Sequence, residues 1–140
     1  MFRFAPLLFL LFSSTAASAG SLDSFAGRYL GCAVSGGEWS PIETVLALSG
    51  GGLSGSYVFI ESDGREVSGD ILAGLPSGAN GVALRWRDLY GEGPAVFTFS
   101  SDAARFDGYW MADQGTDRFA WYGVRADADQ PAPDCRIPIS

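Results

Sequence analysis

With no histidine and no lysine among its 140 residues, this chain has a short list of groups able to do chemistry. Ser–His–Asp and Cys–His nucleophiles, histidine metal sites, Schiff-base lysines and a P-loop lysine are all excluded. Carboxylates remain as the acid–base groups. Asp88 and Asp107 lie in or at the ends of strand-like stretches, and Asp70 and Glu43 lie within them. A carboxylate pair supports glycoside hydrolysis at the right separation, a distance set by the fold and not by sequence spacing. The competing reading makes these residues exposed strand-face acids paired with Arg85, Arg87 or Arg105. No serine nucleophile motif accompanies them, so the expectation is a protein that is not an enzyme. Asp127-Ala-Asp129 offers two carboxylates but lacks the Gly and the bidentate Glu of an EF-hand calcium loop. No metal and no other cofactor is expected.

Binding has better credentials than catalysis. Trp86, Trp110, Trp121, Tyr57 and Phe97 are the candidate ligand-binding residues, each on a strand-like stretch of alternating polarity. In a small barrel such rings either fill the interior as core or line a cavity at its mouth. Trp39 and Tyr90 would join them there from loops. The two cysteines, Cys32 and Cys135, are expected to pair, since an oxidising compartment favours a disulfide and no further Cys or His completes a metal site. Closing a loop of roughly 100 residues is worth up to ~4–5 kcal/mol in the chain-entropy model.

The elements that would position these residues are strands. Eight are expected, over Arg28–Ser35, Pro41–Ser49, Gly52–Ile60, Arg65–Ala73, Gly81–Leu89, Pro94–Ser100, Ala104–Met111 and Asp117–Arg125. Turn signals rich in Gly, Asp and Asn separate them, supplying the positive-φ positions that tight hairpins need. Within them Leu53, Tyr57 and Phe59 alternate with Ser54 and Ser56, and Val82, Leu84 and Trp86 with Ala83, Arg85 and Arg87. Ala95, Phe97 and Phe99, and then Phe106, Gly108 and Trp110, continue the pattern of one apolar face. In the last strand both Phe119/Trp121/Gly123 and Ala120/Tyr122/Val124 are plausible inward sets. Consecutive short strands joined by tight turns point to an all-β, antiparallel, eight-stranded up-and-down barrel, with an open two-layer sandwich as the alternative. Ser21–Phe25 reads as a short helical turn before the first strand.

The ends complete the organisation. Arg3, the apolar run Phe4–Phe12 and Ala17-Ser18-Ala19 fit a secretory leader over residues 1–19, too short to span a bilayer. A single barrel domain is expected over 20–125, followed by a tail over 126–140 tied back by the disulfide. Without the leader, sixteen acidic residues stand against eight arginines, a net charge of −8. That sign disfavours nucleic acid and anionic membranes; it would steer in a basic protein or a cationic ligand, the alternative being that it only keeps the domain in solution.

Phe25-Ala-Gly27-Arg-Tyr29, entering the first strand, resembles the Gly-x-Trp opening of the calycins, the lipocalin and avidin-like barrels, with Tyr29 in place of tryptophan. In lipocalins an arginine of the last strand packs over that aromatic, and the resemblance gives Arg125 this role, closing the barrel against Tyr29. Gly52-Leu-Ser-Gly55-Ser-Tyr57 and Phe106-Asp-Gly108-Tyr-Trp110 resemble avidin-type strands. The residues that would hold biotin in avidin do not line up in 28–40, so the resemblance implies the fold and no ligand. Ser54-Gly55-Ser-Tyr57 also resembles, with one residue too few, the Ser-Gly-x-x-Tyr motif of the periplasmic inhibitors of c-type lysozyme. The functional expectation is a secreted or periplasmic binding protein holding a small apolar or aromatic molecule in the barrel. The alternative is an acidic interaction or inhibitor protein docking on a basic partner such as a lysozyme or protease.

Overall fold

The computed structural model describes residues 19–127, 129–131 and 133–135; the expected leader, Ala19 apart, lies outside them. A short helix, α1 (Ala19–Phe25), precedes strands β1 (Gly27–Ser35), β2 (Glu38–Ser49), β3 (Gly52–Ile60), β4 (Glu66–Pro76), β5 (Gly81–Asp88), β6 (Gly91–Phe99), β7 (Arg105–Trp110) and β8 (Phe119–Arg125). Each strand pairs antiparallel with the next, and β1 pairs with β8, so the sheet closes into an eight-stranded barrel. Glycine makes the tightest turns. Gly36 and Gly37 have φ of 60° and 80°, and Gly50 and Gly51 58° and 82°, the left-handed pairs that a type I′ hairpin requires.

β1 begins one residue earlier than expected, at Gly27, and two strands begin a full three residues early, for one reason. Pro41 and Pro94 read as natural starting points, because proline donates no ladder hydrogen bond. β2 instead begins at Glu38 and β6 at Gly91. The β2–β3 ladder starts only at Ile42 and the β6–β7 ladder at Ala95, so neither ring interrupts those pairings.

The seam where the barrel closes is built on glycine. Gly31 of β1 faces Gly123 of β8, and a Cβ on Gly31 would lie 1.8 Å from the Tyr122 carbonyl oxygen. This pairing settles the phase of β8: Trp121 and Gly123 are buried while Ala120 and Val124 are exposed.

One end of the barrel is sealed. Phe25 of α1 stacks on Phe99 at 4.0 Å, and Tyr29 packs edge-on against Phe99 and Phe106. Arg125 lies over the Tyr29 ring at 4.9 Å and donates to the Tyr29 hydroxyl at 2.8 Å. It also donates to the Ser24, Ala26 and Ala103 carbonyls, tying α1 and the β6–β7 turn to the last strand. On the outer wall, Cys135 is bonded to Cys32 across 103 residues of chain. The tail thereby covers β1, whose outward Leu30 and Cys32 are buried although they face away from the barrel interior.

Candidate functional site

The opposite end is open. There the C-terminal ends of β1, β3, β5 and β7 and the turns that follow them surround a cavity of about 550 Å³. Its depth comes from side-chain size and from hydrogen bonding. The Trp86 and Trp110 rings meet edge-to-face at 5.2 Å. Each donates its indole N–H to a main-chain carbonyl, Trp86 to Met111 at 2.8 Å and Trp110 to Val34 at 2.9 Å. Trp121, deeper and buried, donates to the Thr44 hydroxyl at 3.1 Å. A buried indole N–H needs such a partner. Satisfying it on protein acceptors fixes the orientation of each ring.

Tyr57 and Asp88 form the polar element of this wall. The Tyr57 hydroxyl donates to Asp88 Oδ2 at 2.7 Å, and the Tyr90 main-chain N–H donates to Asp88 Oδ1 at 2.8 Å. The pair spans a gap in the barrel. β5 is bonded to β4 only over Asp70–Pro76, so the segment Glu66–Gly69 of β4 has β3 as its only paired neighbour. The Tyr57 ring crosses this gap over Gly69, where a Cβ would come within 2.1 Å of the ring. Tyr57 and Asp88 line both the cavity and a groove on the outer face, and so form the partition between them. Burial, reinforced by the hydrogen bond to Asp88, pushes the Tyr57 hydroxyl far above the ordinary tyrosine range.

Acids ring the mouth. Glu61 pairs with Arg65 at 3.4 Å and accepts from the Tyr90 hydroxyl, and Asp63 pairs with Arg65 at 3.2 Å. The main-chain N–H of Arg65, and then its side chain, hold the Asp63 carboxyl below its usual value. Glu38, at the start of β2, also lines the cavity.

Of the five residues expected to bind ligand, Trp86, Trp110, Trp121 and Tyr57 line the cavity. Phe97 does not: it is fully buried beneath it, stacked on Phe106 at 4.1 Å and edge-on to Trp121 at 4.9 Å. Tyr90 reaches the mouth as expected. Trp39 belongs to β2 and not to a loop; it faces outward and packs against Tyr122 at 6.0 Å. The four carboxylates considered for acid–base work are dispersed. Asp107 pairs with Arg105, Asp70 with Arg87 and Glu43 with Arg28, while Asp88 alone reaches the cavity. Arg85 pairs with Glu92 and Asp113 instead.

Sequence reasoning missed Phe59, Ile42, Ser40 and Glu38 as lining residues. Phe59 was within reach, two positions beyond Tyr57 on the same face. Ser40 and Glu38 were hidden by starting β2 at Pro41. No protein-family model matches the chain, and no curated protein matches its sequence.

Proposed function

We propose that this protein is a secreted or periplasmic, non-enzymatic binding protein that holds a small, partly apolar ligand in the open end of its barrel. The observation that carries this reading is the cavity of about 550 Å³ walled by Trp86, Trp110, Trp121 and Tyr57. Its volume falls within the ~300–1,000 Å³ common for small-molecule sites, and it pairs apolar walls with a few convergent polar groups. The Cys32–Cys135 bond and the leader-like N-terminus support an oxidising compartment. The placing of Arg125 over Tyr29 supports kinship with the lipocalin-like side of the calycins.

A second reading rests on the acids at the mouth, where Glu38, Glu61 and Asp63 would dock on a basic protein. Salt separates the two. A screen of neutral apolar and aromatic compounds by tryptophan fluorescence, at low and high salt, should yield quenching that salt leaves nearly unchanged and that Trp110→Ala weakens. Failure of every compound to quench, together with salt-sensitive binding of a basic protein, would favour docking at the rim.

A further inference from the structure

The polar inventory of the cavity is one-sided. Its lining contains four carboxylates, Glu38, Glu61, Asp63 and Asp88, and no arginine. Arg65, outside the lining, is engaged by Glu61 and Asp63, while no guanidinium pairs with Glu38 or Asp88 among the described residues. Hydrogen-bond donors are scarce for an independent reason. The indole N–H groups of Trp86, Trp110 and Trp121 are each committed to a protein acceptor, and the Tyr57 hydroxyl proton points at Asp88. The side-chain donors left to a ligand are the hydroxyls of Ser35, Ser40 and Ser62.

A carboxylate or phosphate entering this space would meet fixed negative charge and few donors, and would shed its hydration without replacement. An ammonium group would meet the reverse. Asp88 is oriented by two donors, from Tyr57 and Tyr90, and each carboxylate oxygen keeps a further lone pair. The indole faces beside it suit both a cation and an apolar body.

We infer that the ligand is a small organic cation, a primary ammonium on an aromatic or branched apolar body, with its N–H groups directed at Asp88 and its body against Trp86 and Trp110. The inference rests on the cavity being a ligand site and adds the chemical class.

Three probes of one shape test it: 2-phenylethylammonium, 2-phenylethanol and phenylacetate, titrated by calorimetry into the mature protein. The ammonium should bind about tenfold or more tightly than the alcohol, with the carboxylate weakest, since a neighbouring carboxylate and the ring faces favour only the cation. Salt should weaken the ammonium and leave the alcohol unchanged. Asp88→Asn should bring the ammonium to within about threefold of the alcohol, chiefly by weakening the ammonium. Should that variant fold poorly, Glu38→Gln should shrink the same preference in part. Equal binding of all three probes, or tighter binding of the alcohol or the carboxylate, would overturn the inference and leave the cavity reading intact. Binding of none would overturn both.

Discussion

At the sealed end of the barrel Phe25, Tyr29, Phe99 and Phe106 press their rings on one another, whereas at the open end Trp86, Trp110 and Trp121 border a cavity with each indole N–H bound to a protein acceptor. The polar atom makes the difference. The three phenyl rings have only packing to gain, and Tyr29 satisfies its hydroxyl within the seal, on the Phe25 carbonyl and Arg125. An indole must also find an acceptor for its N–H, here the Met111 and Val34 carbonyls and the Thr44 hydroxyl. Charge divides in the same way. Arg125 at the sealed end is engaged by three main-chain carbonyls and the Tyr29 hydroxyl, while Asp88 at the open end is held by two donors and opposed by no cation among the described residues. On the proposed reading, stability and binding fall to opposite ends of one barrel.

Substitutions test that division. The largest effect is expected at the sealed end: Phe106→Ala should cost ~3–5 kcal/mol in denaturant unfolding, whereas the half-buried Trp110→Ala should cost less than half of that. Similar losses at the two positions would erase the contrast. Next comes the outer staple. Replacing Cys32 and Cys135 together by serine should cost ~2–4 kcal/mol and lower the melting temperature, while the far-UV strand signal and the tryptophan environment of the cavity persist. Arg125→Met should cost about 2 kcal/mol, less than its number of hydrogen bonds suggests, because Arg125 is an exposed residue and two of those bonds are open to water.

Tyr57→Phe carries the smallest stability loss, about 1 kcal/mol for one hydrogen bond, and it has a pH signature. The folded state keeps the Tyr57 proton well past the point where an unfolded tyrosine releases it, near pH ~10. The unfolded chain therefore binds fewer protons than the folded one above that pH, and stability falls as pH rises. Unfolding curves measured across that range should decline less steeply in Tyr57→Phe than in the wild type; identical slopes would place Tyr57 outside the buried pair.

The fold was readable in the sequence because its signals are local. Alternation in Val82–Trp86 and Phe106–Trp110 assigned the inner face, and paired glycines marked the hairpins. Alternation fixes the face of a side chain but not its height along the barrel axis. Phe97 and Trp110 therefore looked equivalent, although Phe97 pairs with Val82 and Gly108 in the packed interior and Trp110 stands at the mouth. The role of Asp88 was invisible for a deeper reason. It depends on β4 parting from β5 beyond Asp70, a property of two strands and not of any stretch of sequence. Trp121 was ambiguous until the Gly31–Gly123 seam set the phase of β8.

The four indole N–H resonances give the most direct measurement of the central claim. Trp86, Trp110 and Trp121 line the cavity, and Trp39 sits on the outer wall as an internal control. In a ¹⁵N–¹H titration with 2-phenylethanol or 2-phenylethylammonium, the signals of Trp86 and Trp110 should move most, that of Trp121 should follow, and that of Trp39 should stay in place. Movement of Trp39 alone, or no movement at any of the four with either probe at millimolar concentration, would contradict a ligand site in the open end of the barrel.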